Sequence, residues 1–170
     1  GSIAIVTVGF HDPIGQGAGF WEQCAQWQGL CSFPDQMYDQ IIGLFRNTHN
    51  YAFTHEWHRY QSYWFLYYLA QYYNDLTIVS QVWKHKMSKK APDFNETLMN
   101  LKQLSSDELY KMYFDYACRL VTWDLDACKP YRDAFIGDFN YRCSAIGNKE
   151  YQVALASCPQ STGVNVIPLQ

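Results

Sequence analysis

Charge is what this sequence has least of. Only 17% of its 170 residues are Asp, Glu, Lys or Arg, thirteen basic against sixteen acidic, for a formal net charge of -3. No long run of either sign occurs, which excludes the basic stripe that a nucleic-acid backbone demands. The uncharged stretch between Arg59 and Asp75 is interrupted by Gln61, Gln71 and Asn74 and falls short of the roughly 20 apolar residues of a membrane-spanning helix. Glycine and proline are sparse, ten and six, so a low-complexity or disordered chain is excluded as well. Compact catalytic signatures are missing: there is no GxSxG, no P-loop and no GxGxxG, and the alternating Gly15, Gly17 and Gly19 lack the spacing of a dinucleotide turn. The six cysteines, at 24, 31, 118, 128, 143 and 158, contain no CxxC pair, which argues against a zinc ribbon or a thioredoxin-type centre. An even set leaves disulfides open, with Cys24 and Cys31, and Cys118 and Cys128, nearest in sequence, and at least two pairs are expected to be oxidised.

What the chain has in excess is aromatic surface, 18% of all residues, led by fourteen Tyr and six Trp. With so little charge to solvate them, these rings predict one packed, mainly α unit of α+β type: an aromatic-rich helical domain with a short strand before it and a small β hairpin after it. The divisions fall at residues 1–13 (strand and turn), 14–130 (helical domain) and 131–170 (β tail, as the start of a second unit). Ile3 to Phe10 is β-branched and apolar like a buried strand. Phe20, Cys24 and Trp27 recur at helical spacing, with Gly29 as a stop, and Pro34 opens a further helix carrying Met37, Ile41 or Ile42, and Leu44 or Phe45 on its inner face. Residues 54 to 73 give the strongest helical pattern, with Thr54 as its cap and Trp57, Tyr60 or Gln61, Trp64, Tyr68 and Gln71 along one stripe. A short helix is expected within Asp75 to Lys86, another from Phe94 to Leu104, and a third opened by a capping box of Ser105 and Glu108. The tail alternates around Gly147-Asn148, which favours a hairpin, and Val164 to Leu169 suggests one more strand. Asn95-Glu96-Thr97 matches the short glycosylation triplet.

Ionisable groups set among large rings are the candidates for chemistry, because a charge there needs a partner, a metal or a shifted pKa. Two stretches qualify: Gly-Phe-Trp-Glu-Gln-Cys-Ala-Gln-Trp-Gln (19 to 28) and Thr-His-Glu-Trp-His-Arg-Tyr-Gln-Ser-Tyr-Trp-Phe (54 to 65). Glu22 serves either as a carboxylate stabilising a helix amino end or as a metal ligand, with Gln26 one turn later supporting an adjacent ligand. His55 and His58 are three apart, not four as in HExxH, and suit either hydrogen bonding within the fold or two positions of a ligand set. Asp124 and Asp126 are too few for a calcium loop and are expected at a helix end and a turn.

These two stretches, followed by Val-Thr-Trp-Asp-Leu-Asp-Ala (121 to 127), resemble a mainly bacterial family of secreted proteins that is similar to the gluzincin metallopeptidases, over about residues 14 to 169. The resemblance implies a secreted, zinc-dependent hydrolase of peptides or proteins in the complete parent. By motif position Glu22 is then the third zinc ligand, and His55, His58 or Tyr63 the hydrogen-bond donor to a developing oxyanion. No HExxH occurs in this chain, so the resemblance supplies one ligand where a catalytic zinc site needs three, and no tightly bound zinc is expected. The alternative is a non-catalytic extracellular module whose exposed rings stack on glycans or a protein partner.

Overall fold

A computed structural model of the chain describes residues 16–33, 45–88, 92–136 and 143–167. The strand expected at Ile3 to Phe10 and most of the helix expected from Pro34 lie outside these residues. The described order is α1 (Gln16–Ser32), a helical turn at 45–48, a 3-10 turn (Glu56–His58), α2 (Trp64–Tyr73), α3 (Ile78–Lys84), α4 (Phe94–Lys102) and α5 (Ser106–Thr122). A 3-10 turn (Asp126–Tyr131), α6 (Arg132–Phe135), β1 (Ser144–Gly147), β2 (Glu150–Gln152) and a last 3-10 turn (Leu155–Ser157) follow. The protein is mainly α with a small antiparallel hairpin. No helix among the described residues is long and apolar enough to cross a membrane.

α2 is the centre of the packing. Trp64, Phe65, Leu66, Tyr68, Leu69 and Ala70 are all buried, and α1, α3 and the 3-10 turn at Asp126–Tyr131 pack around it. On one side Phe65 stacks on Tyr113 at 4.2 Å, and Phe53 and Phe20 both meet Phe94 at 4.8 Å. On the other, Trp64 meets Trp123 edge-on at 5.6 Å, and Phe45 meets Trp123 at the same separation. Offset and edge-on rings fill a core densely and add to the area term. Trp123 ends α5 at φ 51, a left-handed conformation unusual for so bulky a residue, and its ring is locked between Phe45 and Trp64.

The capping box at Ser105 and Glu108 forms as expected, and a second one opens α4, where Asp93 accepts from the Glu96 amide and Glu96 accepts from the Asp93 amide. That second box places the glycosylation triplet in a helix start: half-buried Asn95 accepts from the Tyr113 hydroxyl at 2.7 Å, and the buried Thr97 hydroxyl donates to the Asp93 carbonyl.

Three boundaries differ from the sequence pattern. α1 runs through Gly29 to Ser32 and starts at Gln16, so Glu22 sits in its second turn and not at its amino end. The helix expected over 54 to 73 is helical only from Trp64. Its first half is a 3-10 turn capped by His55, not Thr54, whose ring accepts from the Trp57 amide at 3.1 Å. The Ser62 hydroxyl donates to the Phe53 carbonyl nine residues back, a contact that a continuous helix, rising about 1.5 Å per residue, would pull apart. Trp57, assigned to the inner stripe, is 75% exposed as a result. The hairpin turns at Asn148-Lys149, both at positive φ as two-residue turns require, and residues 163–167 form no strand but lie across the 49–50 turn.

All six cysteines are free thiols. Cys24 and Cys31 lie on one helix, two turns and roughly 10 Å apart, beyond the reach of a disulfide. Cys128 is buried while Cys118 is exposed. The Trp83 indole N–H donates to the Cys24 sulfur at 3.0 Å, and burial pushes the Cys24 and Cys128 thiols up, which keeps both protonated and unreactive. Thiol titration in denaturant without reductant is expected to count six per chain, and a count of two or fewer would overturn this assignment.

Candidate functional site

One stripe of α1 organises the polar interior. Gly19, Glu22, Gln23 and Gln26 fall at i, i+3, i+4 and i+7, so they share a broad face. Gly19 lies where a Cβ would be 3.0 Å from the Thr54 carbonyl oxygen, so glycine lets the 53–62 segment settle onto the helix. Four residues on, fully buried Gln23 donates through Nε2 to the Phe53 carbonyl and to the Ser62 hydroxyl, each at 2.5 Å. Together these two residues pin the histidine-bearing segment. Glu22 and Gln26, both half-buried, flank the clamp.

The segment itself carries two histidines, His55 and His58, and His49 lies in the turn before it. His58 is buried against the Phe45 ring at 5.5 Å, and its Nδ1 pairs with the Thr48 hydroxyl at 2.9 Å. Burial, reinforced by His49 and His55 nearby, pulls its pKa down to about 3, so the imidazole is neutral at physiological pH. Buried His49 donates from Nδ1 to the Val164 carbonyl at 2.5 Å; a carbonyl only accepts, which fixes the proton on Nδ1. His55, half-buried, stacks on Tyr51 at 4.4 Å. Tyr63 is fully buried, its hydroxyl without a hydrogen-bond partner among the described residues, and burial followed by the proximity of Cys128 and Tyr67 raises its pKa.

The candidates from sequence thus divide. Of His55, His58 and Tyr63, only His55 keeps appreciable surface from which a substrate could be touched; His58 and Tyr63 are interior side chains of the aromatic core. Glu22 is half-buried on α1, the helix that packs against the Glu56–His58 turn. No group of three or more His, Cys, Asp or Glu side chains that could hold a metal forms among the described residues, so the donor set present there does not fit a catalytic zinc. Asp124 and Asp126 are turn residues, Asp126 paired with Lys129. Gln23, His49, Thr48 and Asn50 were not singled out by their sequence. Gln23 was detectable, being a polar residue on the apolar stripe of Phe20, Trp27 and Leu30, where only a buried hydrogen-bonding role is affordable.

An aromatic-cored, mainly α unit with a glutamine-clamped histidine segment is the class the fold defines. The chain belongs to a family of unknown function, DUF6055, whose model matches residues 2–170. No curated protein and no solved structure matches it.

Proposed function

We propose that this chain is related to gluzincin zinc metallopeptidases and represents an incomplete or inactive helical portion of the peptidase unit, from a secreted parent acting on peptides or proteins. The observation that supports the reading is the α1 stripe: a half-buried glutamate in the second turn of a long helix, beside a glycine and a glutamine that clamp a histidine-bearing segment. The same observation limits it. Among the described residues Glu22 belongs to no group of three metal-ligating side chains, so this reading assigns it no partner ligands there.

Metal analysis after incubation with zinc and dialysis is expected to give far less than one zinc per molecule, with no peptide hydrolysis. Glu22→Gln is expected to change stability by less than about 0.5 kcal/mol, as for a substitution that leaves no buried charge unpaired. Stoichiometric zinc that this substitution removes would restore a complete metalloenzyme.

A second reading draws on Trp57, 75% exposed, and Tyr60, 37% exposed, on the same turn, with the Arg59 guanidinium over the Tyr60 ring at 5.0 Å and bonded to Glu56 at 3.0 Å. Such a rim of rings and paired charges suits an extracellular glycan- or protein-binding module. Loss of binding to insoluble polysaccharide or to a protein partner in Trp57→Ala, at unchanged Tm, separates it from the first reading.

A further inference from the structure

The segment after the hairpin makes a dense set of polar contacts with a single stretch of chain far away in sequence. Gln160 and Val164 donate their amides to the carbonyls of Asn50 and His49, at 2.9 and 2.7 Å. The Gln160 side-chain oxygen accepts from the Ala52 amide and the Thr162 hydroxyl accepts from the Phe53 amide, both at 2.7 Å. His49 closes the set from Nδ1 onto the Val164 carbonyl, so Val164 and His49 grip each other at two points. The docked piece holds its own shape: the Gly163 amide bonds back to the Gln160 carbonyl at 2.8 Å, and the Asn165 side chain donates to the Ser157 carbonyl at 3.0 Å.

Gly163 sets the fit. A Cβ there would stand 2.2 Å from the Asn50 oxygen and 3.0 Å from the Tyr51 oxygen, both backbone atoms that no rotamer change can move. The attachment is largely polar, with Gln160 and Ser161 exposed, residues 162–166 half-buried and Val166 packed against the core. The hydrogen-bonding groups of 49–53 that it satisfies are main-chain donors and acceptors plus one imidazole, and a turn docks on such groups without needing a core of its own.

We propose that the turn Gln160–Gly163 and its flanks form a detachable intramolecular ligand, and that the 49–53 segment is the site it occupies: a receptor for a peptide turn of the pattern Gln-x-Thr-Gly-Val. Detachment bares the His49 imidazole and the amides of Ala52 and Phe53 while leaving α2 and α5 packed. The site stands on hydrogen bonds, the close fit at Gly163 and the packing of Val166 against the core, and needs no metal, so it holds or fails independently of the metallopeptidase reading.

The test uses the full chain. In Gly163→Val, amide exchange at Ala52, Phe53 and Val164 is expected to accelerate at least 100-fold, with α2 and α5 amides unchanged and His49 modified faster by diethyl pyrocarbonate. A synthetic peptide spanning residues 156–167 with the native glycine is then expected to bind the variant in the micromolar range and restore the slow exchange, and not to bind the native chain, whose site is filled. Unchanged exchange in the variant overturns the role of Gly163, and fast exchange without capture of the peptide overturns the receptor site. If Gly163→Val fails to fold, Gln160→Ala combined with Thr162→Ala removes two acceptors without a clash. It is expected to show the same local opening and capture, and global loss of protection in that variant would make the turn an integral part of the core and overturn the proposal.

Discussion

Trp64→Ala is expected to lower unfolding free energy by about 3–5 kcal/mol, the range found for emptying a large aromatic site in a packed core. Trp64 is fully buried and touches Tyr63 at 4.4 Å, Trp123 at 5.6 Å and Tyr67 at 5.8 Å between ring centres. None of those neighbours can collapse into the gap cheaply. Trp123 is already held in a left-handed conformation, and Tyr63 is fixed at the start of α2 by backbone geometry. The cavity term is therefore paid in addition to the transfer term. Trp57→Ala supplies the control, because a ring 75% exposed has little burial to lose and the change is expected to stay within about 0.5 kcal/mol. Urea unfolding of both variants checks the pair. A loss under 1 kcal/mol at Trp64 would mean that the aromatic centre is not the source of stability.

Those two tryptophans also mark what could be read from the sequence and what could not. Eleven aromatics between Tyr51 and Tyr73 with few charges demanded burial, and the burial of Trp64 and Tyr68 follows from that composition. The mainly α character, the hairpin near Gly147 and the Ser105 capping box are local signals and were legible for the same reason: period, turn residues and paired cap residues act over a few positions. The failure came where local and tertiary hydrogen bonds compete. Between Phe53 and Ser62 the helical period continues, yet the Gln23 amide draws the Phe53 carbonyl and the Ser62 hydroxyl away to α1, from 30 and 39 positions away. No window within 54 to 65 contains that information. The candidate site shows the same limit. Glu22 and His55 are surface-reachable side chains a pattern can flag, whereas His49 and Asn50 matter through a C-terminal turn more than a hundred residues later. The glycine that permits that contact, Gly163, has no positional signature of its own and is explained only by the backbone oxygen of Asn50 against which it rests.

Acid is expected to destabilise the fold well above the range where most carboxylates protonate, and His58 is the cause. In the folded chain its pKa is held at about 3 against an ordinary value of 6.5, first by burial and then by His49 and His55. Between those two values the unfolded chain binds a proton that the folded chain refuses, so stability falls as pH falls. Each pH unit in that window costs about 1.4 kcal/mol, giving a loss of about 2 kcal/mol between pH 7 and 5 and of about 4 kcal/mol by pH 3.5. The window above pH 5 is the diagnostic one, since few carboxylates titrate there. The native contact is the Nδ1 pairing with the Thr48 hydroxyl at 2.9 Å, so the control variant must keep that bond and lose the titration. His58→Gln meets both conditions: it costs about 1–2 kcal/mol at pH 7 through imperfect packing and hydrogen bonding, and the slope of unfolding free energy against pH between 7 and 5 is expected to shrink by most of its value. Equal slopes in the native chain and the variant would show that His58 is charged or solvated in the folded state. The buried imidazole would then have to be moved out of the cluster formed by Phe45, Thr48 and His49, and with it the reason why the segment packed against α1 holds its shape.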